Sequence, residues 1–102
     1  MWPVASNAVS DLEALLAEHL RAPFPASVTK GLDYGEVDAV MIGADIYGWP
    51  VSVSRGVPLP PEDRQRLAHA RDELSRSIGA FPVEARSYYQ QLVDLADAAL
   101  SA

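Results

Sequence analysis

Four carboxylates, Asp33, Glu36, Asp38 and Asp45, lie between positions 33 and 45, a stretch that holds Gly35 and Gly43 and is flanked by Gly31 and Gly48. Oxygen-rich turns of this kind suit a hard divalent cation, which takes carboxylate and carbonyl ligands. The spacing does not follow the EF-hand loop, however, and acidic residues are frequent in turns because they bond their own backbone. No metal site is therefore assigned. Asp38 stands apart, since a carboxylate one residue into the apolar run Val37 to Ile42 must either face solvent or pair. Burial would perturb its pKa. The reading turns it outward or pairs it with Arg55.

Nucleophilic catalysis needs a positioned base, and the histidines His19 and His69 stand in no G-x-S-x-G or H-E-x-x-H setting. His69 and Glu73 are four apart on one helix face and could pair or share a metal; a solvated pair is the expected reading. Both histidines are read as structural. The chain has no cysteine, which removes thiol nucleophiles, disulfides and thiolate metal sites. None of the glycines opens a helix as a phosphate-binding loop requires. No catalytic residue and no cofactor are assigned, and the chain reads as a binding protein before an enzyme.

Tyr47-Gly48-Trp49-Pro50 is the most distinctive local feature. Aromatic side chains with a polar tip are enriched at interaction hot spots, but their commoner use is core packing, and packing is the expectation for both rings. Of the neighbours Tyr88 and Tyr89, helical geometry sends one to the core and leaves the other at the surface. The candidate binding set is Asp33, Glu36, Asp38, Asp45, Tyr47, Trp49 and Arg55.

The elements that would position this set are read from periodicity. A first helix starts at Ser6 or Ser10 and runs to Arg21; Ser10 to Glu13 has capping-box spacing, and Val9, Leu12, Leu15, Leu16 and Leu20 form its apolar face. Pro23 and Pro25 end it. The segments 26–32, 37–42 and 51–54 then read as a three-stranded antiparallel meander, with 37–42 central and Pro50 placing the third strand at an edge. Pro60 or Pro61 opens a second helix, with Glu62 and Asp63 in its first turn, Leu67, Ala70, Leu74 and Ile78 inward, and Gly79 as its C-terminal cap. Pro82 leads into a third helix that returns antiparallel. The expectation is a single α+β domain over residues 1–102, ordered α-β-β-β-α-α, with a ligand pocket, if any, between the sheet and the helix hairpin.

Composition agrees with a globular chain: 102 residues, 49% apolar and 22% charged. The formal net charge of -6 repels phosphate backbones and favours a basic partner surface. Arginines lie among acidic residues rather than beside aromatics, so nucleic-acid binding is not expected. Residues 1–7 carry no basic segment or long apolar core, and the longest apolar run, 39–42, is far shorter than a membrane span. The expected setting is cytoplasmic, without membrane attachment.

Glu36 to Gly48 resembles a group of small uncharacterised bacterial α+β proteins that share a pattern of Val-Asp, an apolar run, Ala-Asp and Gly. Ala85 to Val93 is similar to the last helix of the same group. The two stretches cover under a quarter of the chain, and Gly43 stands where the group often has an acidic residue. The resemblance implies no function and no site residue. From the residues themselves, the expected role is a small cytoplasmic protein-interaction module that binds a basic protein or a second copy of itself. An immunity or antitoxin-like form would present Asp33, Glu36 and Asp38 to the partner. The alternative is a small-ligand binding protein or enzyme.

Overall fold

Prolines and glycines divide the chain, and helices fill most of what lies between them. In the computed structural model, which describes residues 5–101, the order is α1 (Ala5–Arg21), β1 (Asp33–Tyr34), β2 (Val37–Asp38), α2 (Met41–Ser54), α3 (Pro61–Ser77) and α4 (Arg86–Ser101). Two 3-10 turns, Ile78–Ala80 and Val83–Ala85, join α3 to α4. The described residues are thus mostly helical, with one small antiparallel sheet among them. Readings made for residues 1–4, the side chain of Val9 and the Ser10 hydroxyl lie outside the described residues and side chains. The backbone is already helical at Ala5, which places Ser10 inside α1.

Helix α4 is the centre. Tyr89, Leu92, Val93, Leu95, Ala96 and Ala99 are all buried, a face too wide for one neighbour, and α4 packs against α1, α2 and α3. From α1 come Leu12, fully buried, and His19; from α3 come Leu67, Ala70 and Leu74. Leu20, expected on the inner face of α1, is 74% exposed, and His19 turns inward in its place. The contacts Arg71 Nε to Asp97 Oδ1 (2.7 Å) and Arg64 to the Leu100 carbonyl make α3 and α4 antiparallel, as their short connection implied. Gly79 does not cap α3 in a left-handed conformation. The chain continues instead into the 3-10 turn, whose Gly79 and Phe81 carbonyls accept from the Arg86 guanidinium at 3.1 Å each.

The three-stranded meander is the main correction. Only Tyr34 with Val37 and Asp33 with Asp38 pair as a hairpin, and residues 41–54, which should have held the rest of the central strand and the third strand, form α2. Segment 26–32 is a run of turns, with Val28 N–H donating to Pro25 O and Leu32 N–H to Thr29 O. The physical reason lies in burial. Ile42, Ile46 and Pro50 are buried, Trp49 and Val53 pack on the core beside them, and this set recurs at helical spacing. The alternation Val51-Ser52-Val53-Ser54 is absorbed by back-bonding: Ser52 Oγ donates to Gly48 O (3.2 Å) and Ser54 Oγ to Val51 O (2.7 Å). Pro50 sits inside the helix, not on a sheet edge.

The hairpin is clamped to the end of α3. Glu36 N–H donates to Ser77 Oγ (2.9 Å), which itself donates to Glu73 O (2.8 Å), and Arg76 holds the Glu36 carboxylate with two bonds of 2.8 Å. Close approach is possible because Gly35 fills the first turn position with φ +62 and no Cβ; one placed there would lie 2.7 Å from Ser77 Oγ and 3.2 Å from its Cα. Gly31, at φ +88, faces open space. Gly35→Ala should therefore cost about 2–3 kcal/mol, from backbone strain and collision together. Gly31→Ala should cost about 1 kcal/mol from strain alone. Urea unfolding of the two variants checks the difference; equal costs would mean that the approach to Ser77 carries no energy.

Candidate functional site

Helix α2 has a concavity on each side. Toward α3 lies a cleft of about 580 Å³, into which α2 contributes Asp45 and Trp49. From α3 come Glu62, Arg66, His69 and Glu73, with Gln65 and Ala70 beside them. These four fall at helical spacings of four, three and four, so a single stripe of α3 faces the cleft. A smaller hollow of about 100 Å³ adjoins it beneath the hairpin, lined by Glu36, Asp38, Asp45 and Glu73 among others. Toward α1 and α4 lies a groove of about 440 Å³ with apolar walls, which includes His19, Tyr47 and Tyr88.

The seven candidate residues are therefore divided. Asp45 and Trp49 meet in the cleft, whereas Tyr47 projects to the opposite side of α2 and lines the groove. Both rings are half-buried and pack on the core, as expected. Asp33 is exposed at the start of the hairpin, and Arg55 is exposed just past α2. Asp38 turns its carboxylate outward, one of the two expected outcomes, and does not pair with Arg55. Its Oδ1 accepts from the Met41 N–H (2.8 Å) and the Val40 N–H (2.9 Å), which caps the start of α2. These two amides hold its carboxyl below the ordinary carboxylate value, the Met41 bond most strongly. Glu36 is also held low, chiefly by its hydrogen bonds from Arg76.

Two of the four clustered carboxylates are thus engaged in holding the hairpin and α2 in place. Asp45 and Glu62 make no ion pair among the described residues, and Glu73 pairs only with His69, at 3.6 Å. Three carboxylates against one guanidinium leave the cleft lining with an excess of two negative charges when His69 is neutral. Among the described residues no three His, Asp or Glu side chains converge as ligands for one cation. Sequence spacing gives His69 and Glu73 only as a solvated pair and Glu62 only as a first-turn residue, so it does not assemble the stripe on α3. The spacing of the stripe is visible in the sequence; its partner surface is not, because residues 41–54 read locally as turns and strands.

No protein family, no curated protein and no solved structure matches this chain.

The engaged carboxylates give the fold an acid limit. Both folded-state values lie below the ordinary ones, 4.5 for Glu36 and 3.8 for Asp38, so their stabilisation is complete above those values and is lost as pH falls through the lowered ones. The urea midpoint should fall as pH drops below about 4, and fall less steeply in Asp38→Asn and in Glu36→Gln. Identical acid limbs in wild type and both variants would refute this assignment.

Proposed function

We propose that the protein is a small interaction module that receives a basic side chain of a protein partner in the α2–α3 cleft. The observation that carries the reading is the half-buried Trp49 ring in one concavity with Asp45, Glu62 and Glu73. An aromatic face attracts a cation through its quadrupole, and neighbouring carboxylates add direct attraction and hydrogen-bond acceptors. Trp49 has no such cation of its own among the described residues, where only Lys30 stands over a ring, 5.3 Å from the centroid of Phe24. The net charge of -6 favours encounter with a basic surface and raises association rate more than affinity.

This reading keeps the immunity or antitoxin-like form, in a bacterial cytoplasm, but moves its acidic contact surface. Glu36 and Asp38 are occupied by Arg76 and by backbone amides, so the contact falls to Asp45, Glu62 and Glu73. Self-association through the same cleft is the less favoured form, because two like-charged cleft rims would face each other.

The test uses Trp49 as its own reporter in a Trp2→Phe background, titrated at low salt with an arginine-rich peptide. A saturable change in Trp49 emission is expected, with affinity weakened about tenfold by the pair Asp45→Asn and Glu62→Gln and lowered by added salt. A glutamate-rich peptide should give no change. Unchanged Trp49 emission, or equal affinity in the neutralised pair, would overturn the reading.

A further inference from the structure

The groove on the other side of α2 differs from the cleft in every relevant property. It runs between the C-terminal end of α1, the first half of α2 and the start of α4, and among the described residues no charged one lines it. Its space comes from small residues: Ala39, just before α2, and Gly43 and Ala44 within it form one wall, where an added Cβ at Gly43 would just reach van der Waals contact with Leu92 Cδ1, at 4.0 Å. The rings of Phe24 and Tyr88, edge to face at 5.7 Å, form part of the opposite side.

One polar side chain is built into this apolar setting. His19 is 8% exposed, its ring 4.7 Å from that of Tyr88 and 6.1 Å from that of Tyr47. Its Nδ1–H donates to Gln91 Oε1 at 3.0 Å. An amide oxygen only accepts, so the hydrogen of the neutral ring is on Nδ1 and the lone pair is on Nε2. Nε2 has no hydrogen-bond partner among the described residues, and no fully enclosed side-chain nitrogen or oxygen is left without one. Nε2 is therefore not fully enclosed, and His19 is one of the residues that line the groove. A nine-tenths buried imidazole, fixed from behind by Gln91, offers one acceptor to whatever fills the space.

We propose that this groove is a binding site for a small, neutral aromatic molecule with a single hydroxyl or N–H donor, of the phenol or indole class, which donates to His19 Nε2. Three constraints select that class. A charged ligand would lose its hydration with no opposite charge in the walls to replace it. A volume of about 440 Å³ lies within the range of small-molecule sites, and aromatic walls favour a flat ring. A lone acceptor in an apolar wall rewards one donor and leaves further polar groups unpaired.

The test compares 2-naphthol with 2-methoxynaphthalene, which has nearly the same shape and no donor. Binding is measured by calorimetry and by the shift of the His19 ring resonances. The expected result is saturable binding of 2-naphthol, weaker by at least about tenfold for the ether and for naphthol on His19→Phe. Gly43→Leu, which fills the groove and favours helix, should abolish binding while the far-ultraviolet circular dichroism stays unchanged. Asp45→Asn with Glu62→Gln should leave naphthol binding intact, which separates this site from the cleft. Absence of naphthol binding, or equal affinity for the ether, would overturn the proposal. So would light scattering that shows a dimer broken by Gly43→Leu, because the groove would then belong to a second copy of the chain.

Discussion

Tyr89 sits fully buried where the hairpin, α2 and α4 converge, with its hydroxyl donating to the Ala39 carbonyl at 2.7 Å. Phe81 stacks on it with ring centroids 3.8 Å apart, and Tyr34 stacks on Phe81 at 4.7 Å. A carbonyl enclosed at that depth needs a donor, and burial in turn pushes the phenol strongly toward its protonated, donating form. This single bond ties the central helix to the residue that leads the chain from β2 into α2. Asp38, one residue earlier, caps the same helix, and Glu36, two before that, is held by Arg76. The position of α2, and with it both concavities, follows from these few contacts.

Helix α2 needs that external support because its own sequence disfavours it. Gly43 and Gly48 each cost about 1 kcal/mol relative to alanine, and Pro50 about 3 kcal/mol through its missing donor. Burial of Ile42 and Ile46, at about 1.5–3 kcal/mol each, is of the size needed to offset this. The helix therefore exists by virtue of packing rather than propensity. The same weakness explains why it was hard to read. Glycines, a proline and β-branched valines point locally to turns and strands, and the decisive pattern, Ile42, Ile46, Trp49, Pro50 and Val53, becomes persuasive only when burial is known.

Elsewhere the local signals and the fold agree. Pro61 opens α3 with Glu62 and Asp63 in its first turn, Pro82 precedes the turn into α4, and Leu67, Ala70 and Leu74 face inward, all as periodicity and helix-end chemistry require. The turn at Gly35 between segments 26–32 and 37–42 is legible in the sequence, but the pairing of Asp33 and Tyr34 and the docking on Ser77 are not, because a contact across 41 residues leaves no local trace. The candidate site was legible in kind and not in arrangement. Asp45 and Trp49 lie four apart on one helix face, a relation that carries no meaning if residues 43–50 join two strands. Tyr47, two residues from each, belongs to the same candidate set by sequence, whereas helical geometry sends it to the other side.

That separation is what gives one helix two chemically distinct faces. Residues at 45 and 49 look toward α3 and meet carboxylates, while residues at 43, 44 and 47 look toward α1 and α4 and meet aromatic rings. A strand would also alternate its faces, but each face of a two-residue ladder is too short to line a cavity. Gly43, one of the residues that weaken α2, also opens its apolar side, since any side chain larger than alanine there would press on Leu92. The cost in helix propensity and the space for a ligand thus have the same origin. Because α2 is held from outside by Asp38, Tyr89 and its buried isoleucines, that space can persist in the folded chain without collapse of the helix around it.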